Sequence, residues 1–286
     1  MIVDITDATG GVRVLAIDHR DSMRRFLAPH DPASVAAADI TALKIEVVGA
    51  LADLATGVML EPEYSIPQVM DAGVVPPGVG VIAALEAQGY HDDPAAAPTR
   101  VLEGWSAAQA RAAGAAVVKL LLAYRPGASF AAAQEDVARQ VLADSAAAGM
   151  DLVLEPFLWD VTDPDEHAAL VVATAERFVR LAPALLKLPF PGEGRARPGV
   201  AAQACRRITA LCPMPWAVLS GGGTFESFLD QVTIAVDEGC AGFMVGRALW
   251  GDAVKAPPAD RSRLLRDVVR PRLAALNEVV TPSVGA

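Results

Sequence analysis

The chain is short of lysine, histidine and cysteine, and each shortage removes a class of chemistry. Of its 24 basic residues only four are lysine, Lys44, Lys119, Lys187 and Lys255, so the other 20 are arginine. The three cysteines, Cys205, Cys212 and Cys240, lack paired metal-ligand spacing, and an odd number argues against a disulfide framework. Buried free thiols are expected instead. The four histidines are His19, His30, His91 and His167, and a zinc site would need several of them gathered at strand ends. Only His19 stands beside such an end. The other three fall in polar, loop-like or helix-start contexts and are expected on the surface. Carboxylates alone, Asp18, Glu61 and Glu63, offer the remaining route to a metal, magnesium; the expectation is no metal and no organic cofactor.

Long apolar runs are missing too. Although 53% of the residues are hydrophobic, no run reaches the roughly 18–20 residues needed to cross a bilayer. The opening MIVDITDATGG puts acids where a signal peptide carries a basic region and an apolar core. A cytoplasmic protein without a membrane partner is expected. The net charge of -10 makes nucleic acid and anionic surfaces poor partners. An anionic small molecule stays open, because it needs only a local cluster of donors.

What the chain does have is a steady alternation. Short apolar runs stand at 12–20 (VRVLAIDHR), 57–64 (GVMLEPEY), 78–86 (GVGVIAALE), 115–124 (AAVVKLLLAY), 151–157 (DLVLEPF), 184–191 (ALLKLPFP), 215–223 (PWAVLSGGG) and 240–247 (CAGFMVGR). Continuous apolar strands with polar residues only at their ends suit a parallel sheet buried on both faces. Between them lie helix-like stretches at 39–54, 107–113, 130–148, 164–181, 200–211, 225–238 and 261–276, with 66–72 too short for a firm helix. Gly114, Gly149 and Gly239 stand where helices should stop. Eight strands alternating with helices over 286 residues predict a closed (β/α)8 TIM barrel spanning residues 1–286 as one domain. A doubly wound open sheet is second, but it would be large and no Gly-x-Gly-x-x-Gly turn follows the first strand. Residues 90–100 read as a long connection and the tail after Asn277 as loose. A homo-oligomer is the expectation for a metabolic barrel.

In such a barrel the C-terminal strand ends form the active face. They carry Asp18, His19 and Arg20 on the first strand, Glu61 and Glu63 on the second and Glu86 on the third. Lys119, Glu155 and Lys187 follow on the fourth, fifth and sixth, then Ser220 with its glycines, then Gly246 and Arg247. Charges inside apolar strands are costly unless paired or functional. Lys119 and Lys187 come from alternate strands, so both can approach Glu155 on the strand between. A lysine with a depressed pKa can attack a carbonyl, and apolar walls or a second cation depress it. A buried Lys–Glu–Lys network that only stiffens the barrel has the same spacing. The SGGG turn at 220–223, followed by Gly246 and Arg247 one strand later, suits phosphate: glycines expose backbone N–H groups and arginine adds a charged fork. Tight turns use the same letters. His19 and Arg20 either meet the far end of a substrate or pair with the nearby glutamates.

AIDHR, LEPEY, VVKLLLAY, LVLEPF, LLKLPFP, PWAVLSGGGTFESF and GCAGFMVGRALWGDAV follow one another, from about Val12 to Asp252, in an order that resembles the bacterial class I tagatose-1,6-bisphosphate aldolases and the related sulfofructose-1-phosphate aldolases. The resemblance implies a metal-independent lyase that cleaves a ketose 1-phosphate to dihydroxyacetone phosphate and an aldehyde. It implies Lys187 as the Schiff-base residue, Glu155 as the acid–base residue, Lys119 as a substrate-orienting lysine and Asp18 as a hydroxyl contact. Ser220, Gly222, Gly246 and Arg247 match the phosphate cradle, and His19, Arg20 and Glu61 fall among the substrate contacts. The family's Asp-Gln-Arg-Gly pattern is Asp18, His19, Arg20, Asp21 here; its second-strand aspartate is Glu61, and its glycine after the tyrosine is Ser65. These departures bear on which sugar is taken, not on imine chemistry. Two other classes remain open on the residues alone: a sugar-phosphate isomerase or epimerase with Glu155 or Glu61 as bases, and a non-catalytic sugar-phosphate-binding barrel.

Overall fold

Every apolar run becomes a strand in the computed structural model, which describes residues 2–87, 97–197 and 199–281. The strands are β1 (Val12–Ala16), β2 (Gly57–Leu60), β3 (Gly80–Ala84), β4 (Val117–Tyr124), β5 (Asp151–Leu158), β6 (Leu185–Pro189), β7 (Trp216–Leu219) and β8 (Gly242–Val245). Each pairs in parallel with the next, and β8 returns to β1 with Met244 beside Val14, closing the barrel. Closure excludes the open doubly wound sheet. The helices are α1 (Asp21–Leu27), α2 (Ala37–Leu51), α3 (Ile66–Asp71), α4 (Ala107–Ala112), α5 (Ala131–Ala147), α6 (Pro164–Phe178), α7 (Val200–Leu211), α8 (Phe225–Asp237), α9 (Arg247–Lys255), α10 (Pro258–Leu264) and α11 (Arg270–Val280).

The strands read as unbroken apolar runs because both faces are covered. On β4, Val118, Leu120 and Leu122 join the layer between sheet and helices. Val117 instead joins Met59, Val153, Leu185, Ala217 and Met244 inside the barrel. With a side-chain period of two, Lys119 must share the inner side with Val117. The N-terminal end of the barrel is stopped by Ile2 and Ile5, both 0% exposed, at the two ends of the short turn that begins at Val3. Gly80 permits that closure: a Cβ there would lie 2.0 Å from the Asp4 carbonyl oxygen.

Several expectations need adjusting. The 66–72 segment does form a helix, α3. The single helix expected over 261–276 is interrupted by a π turn at Leu265–Val269. Pro271 has no N–H to offer the carbonyl four residues back, so the hydrogen-bond ladder shifts there. The strand expected at 12–20 ends at Ala16, which frees Asp18 and His19 to turn across the mouth. Gly114, Gly149 and Gly239 follow α4, α5 and α8 as expected, all at positive φ. Most of the 90–100 connection, including His91, lies outside the described residues, as does the tail beyond Thr281. Its base is tied by an antiparallel bridge between Glu86 and Val101. Among the described residues no helix is long and apolar enough to cross a membrane.

Candidate active site

A cavity of about 690 Å³ opens among the C-terminal strand ends. Asp18, His19, Glu86, Lys119, Glu155, Lys187, Ser220, Gly222, Gly246 and Arg247 all line it. Strand register sets the inner group. Ala84 pairs with Lys119 across β3–β4, and Leu154 with Leu186 across β5–β6, which puts Glu155 next to Lys187.

Lys119 is 1% exposed and surrounded by carboxylates. Its Nζ lies 2.8 Å from Asp18 Oδ2, 2.7 Å from Glu86 Oε1 and 3.0 Å from Glu155 Oε2. Burial works against its charge, but Asp18, Glu155 and Glu86 outweigh it and raise the ammonium well above the ordinary lysine range. Burial likewise opposes the Asp18 carboxylate, yet Lys119 and then Lys187 hold it well below its usual value. Lys187 has a sparser neighbourhood. Its Nζ meets one carboxylate, Glu155 Oε1 at 2.8 Å, and lies 3.8 Å from Met59 Sδ. Glu155 therefore touches both lysines, each through a different oxygen. The Lys119 contact is an ion pair without hydrogen-bond alignment, which leaves Glu155 Oε2 buried and without a donor.

The second half of the site is a cradle between β7 and β8. Ser220 Oγ accepts from Gly246 N–H at 3.3 Å, tying the two strand ends together. Gly222 sits at φ +84°, and a Cβ there would come within 3.4 Å of Arg247 Nη2. A side chain at 222 would thus meet both backbone strain and the guanidinium. Arg247 begins α9 at the same corner, where no side chain caps the first N–H groups of the helix. The ring of His19 fills the space beside Gly246, 3.0 Å from a hypothetical Cβ, and stacks edge-on with Trp250. Burial pushes His19 down to about 3, with Asp18 opposing and Arg247 adding, so it is neutral at ordinary pH.

Two expected substrate contacts lie behind the wall. Glu61 is 0% exposed and pairs with Lys44 of α2, also 0% exposed, while accepting from Ser65 Oγ and the backbone N–H groups of Glu63 and Tyr64. Arg20 is 1% exposed; it reaches Glu63 Oε2 at 3.4 Å and donates to the Glu86 carbonyl. Neither lines the cavity, because each has satisfied its charge within the strand-end loops. His167, expected on the surface, is 4% exposed and does line the cavity, its Nδ1 accepting from Gly192 N–H at 3.1 Å. Glu193, Arg195, Ser227 and Gln231 complete the rim. Glu86 was legible as a strand-end charge but not as a partner of Lys119. The rim residues come from helices and loops that carry no strand-end signal. Lys44 and Lys255 stay away from the cavity: Lys44 is committed to Glu61, and Lys255 lies over the Phe26 ring. Cys205 and Cys240 are buried free thiols and Cys212 is partly buried; burial raises Cys205 to about 12 and Cys212 to about 11. Among the described residues no group of three or more His, Cys, Asp or Glu is arranged to hold a metal ion.

A family model described as DeoC/LacD family aldolase matches residues 12–252, which takes in every strand and every residue of the inner site. Among similar proteins, tagatose 1,6-diphosphate aldolase 2 of Streptococcus pyogenes serotype M1 is 27% identical, over 91% of this chain and 86% of its own. Tagatose 1,6-diphosphate aldolase of Staphylococcus haemolyticus is 28% identical, over 89% of this chain and 85% of its own. Among solved structures, an archaeal fructose-1,6-bisphosphate aldolase, with its catalytic lysine bound to the carbinolamine intermediate of the substrate, superposes with a TM-score of 0.63. It is 19% identical, over 98% of this chain and 97% of its own, a likeness of fold. With the match running from the first strand past the last, the chain belongs to the DeoC/LacD family of aldolases.

Proposed function

We propose that the protein is a metal-independent class I aldolase that holds a ketose 1-phosphate as a Schiff base on Lys187 and releases dihydroxyacetone phosphate and an aldehyde. The observation that carries this reading is the unequal treatment of the two buried lysines. Three carboxylates grip Lys119 and keep it charged, whereas Lys187 faces one carboxylate and a thioether. A nucleophilic amine must be free to reach a carbonyl carbon, and Lys187 has the fewer contacts to give up.

The chemistry follows from the neighbours. The 1-phosphate rests on the 220–223 turn, the start of α9 and Arg247, which sets the adjacent C2 ketone beside Lys187. The Lys187 amine adds to C2 and water leaves, forming an iminium. Glu155 takes the proton of the C4 hydroxyl; the C3–C4 bond breaks, its electron pair moves into the iminium, and the aldehyde departs. The enamine is then protonated at C3, and water hydrolyses it to dihydroxyacetone phosphate and free Lys187. Lys119 keeps positive charge near the C4 oxygen, and Asp18 accepts from a sugar hydroxyl. Glu86 holds Lys119 in place, while Arg20 and Glu61 brace the strand ends from behind.

The test is borohydride trapping with dihydroxyacetone phosphate, followed by peptide mapping over the four lysines. One adduct per chain, on Lys187, is expected. Lys187→Arg should keep the charge and abolish trapping, because a guanidinium is not deprotonated in proteins. An isomerase using Glu155 as a simple base, or a sugar-phosphate sensor, would give no adduct. An adduct on Lys119 would reverse the assignment of the two lysines.

A further inference from the structure

Charge around the cavity is balanced almost to the last group. Its lining carries four cationic side chains, Lys119, Lys187, Arg195 and Arg247, and four carboxylates, Asp18, Glu86, Glu155 and Glu193. Three of the cations are already engaged. Lys119 is held by Asp18, Glu86 and Glu155, Lys187 by Glu155, and Arg195 by Glu193 at 2.6 Å. Among the described residues Arg247 is the one lining cation without an ion pair. This count covers every lysine and arginine, since none falls in the undescribed 1, 88–96, 198 or 282–286.

The candidate for a second anion site was Arg20, and its guanidinium is turned into the wall, spent on Glu63 and the Glu86 carbonyl. His19 and His167 bring no charge: one packs edge-on against Trp250 and is held neutral, and the other uses its Nδ1 as an acceptor. Beyond the cradle, the cavity wall offers Leu121, Phe157, Leu158 and Phe190. An anionic tail entering there would lose its water, meet no unpaired cation and approach Glu86 and Glu193.

Building on the aldolase reading above, we propose that the site is made for ketose 1-phosphates whose far end is uncharged, a hydroxymethyl or methyl group, and that it rejects a second phosphate, sulfonate or carboxylate. Arg247 and the glycine turn serve one dianion, and the rest of the cavity has no charge to spare for another. Specificity then comes from the absence of a second cation as much as from any contact made.

The condensation direction tests this without knowledge of the sugar's configuration. Dihydroxyacetone phosphate is supplied with racemic glyceraldehyde or with racemic glyceraldehyde 3-phosphate, and its consumption is followed at low ionic strength. The unphosphorylated aldehyde should give the higher kcat/KM by at least about tenfold, and the gap should narrow as salt screens the carboxylates. Equal or better use of the phosphorylated aldehyde overturns the proposal, and so does turnover of neither. Arg195→Ala should leave the preference in place; a selective loss with the phosphorylated aldehyde would reveal Arg195 as a second anion site and overturn it as well. Borohydride trapping with dihydroxyacetone phosphate alone keeps the two layers apart. No adduct refutes the aldolase reading itself, whereas an adduct together with a preference for the phosphorylated aldehyde refutes only the neutral tail.

Discussion

Arg247 and His19 stand next to each other at the mouth of the barrel, and opposite physics governs them. Arg247 is half-buried with no ion pair among the described residues, so its fork remains open to a ligand. Removing it should cost a charged hydrogen bond, about 1.5–3 kcal/mol. Arg247→Ala is therefore expected to raise KM for a ketose 1-phosphate about 10- to 150-fold, with a smaller fall in kcat because the phosphate also positions the ketone. Arg247→Lys should recover only part, since a point charge lacks the fork. Unchanged kinetics in steady-state assays would move the anion elsewhere. His19 is driven to about 3 by burial, whereas an unfolded imidazole titrates near about 6.5. Below that value the unfolded chain binds a proton the folded chain refuses, so stability falls as pH drops from about 6.5 toward about 3. His19→Gln should soften this acid loss, narrowing the fall in Tm between pH 7 and about 4.5 by roughly 2–5 °C. Identical pH dependence of thermal melting in variant and wild type would show that His19 is not a source of it.

At the scale of elements, the loop leaving β6 carries the most consequence, because Lys187 sits two residues before Pro189, the last residue of that strand. The chain then turns through Gly192 and Glu193, both in the left-handed region. His167, from α6, accepts from Gly192 N–H and so ties the turn to the neighbouring helix. We expect His167→Ala to leave that N–H without an acceptor, a loss of about 1–2 kcal/mol. The result should be a fall in kcat of roughly 5- to 30-fold with KM little changed. His167→Asn, which offers an oxygen near the Nδ1 position, should recover part of it. A loss of Tm with normal kcat would make His167 a packing residue instead. The sequence could not announce this role. His167 is the fourth residue of α6, a helix that reads as polar at its start, and only the fold brings the 192 turn against it. Strands were legible for the converse reason: their burial is double-sided, so the pattern shows in every run. The π turn near Leu265 escaped notice because helical periodicity continues on both sides of Pro271.

For the whole molecule, what could be read from the chain was whatever the barrel's symmetry dictates. Strand order alone places Glu155 between Lys119 and Lys187, and the β7–β8 ends next to each other. What could not be read was how loops spend charges: Arg20 and Glu61 have the right addresses, but Glu63, the Glu86 carbonyl and Lys44 claim them. The opposite end of the barrel was silent for a similar reason. The acidic opening segment gave no sign that Ile2 and Ile5 would stop the barrel. This end-to-end division predicts a separation of stability from chemistry. Ile5 is 0% exposed and packs against Gly57 and Gly80, where any added Cβ would touch it. Ile5→Ala should leave a void and destabilise the fold by about 2–4 kcal/mol, measured by denaturant unfolding. The cavity proposed as the active site opens at the other end of the strands, so kcat, KM and the yield of borohydride adduct should match wild type at temperatures well below the transition. If Ile5→Ala lowered kcat in proportion to its loss of stability, the stopper would have to be coupled to the lysines through the intervening layer of Val117, Val153, Leu185 and Met244. In that case the two ends of the barrel would not act independently.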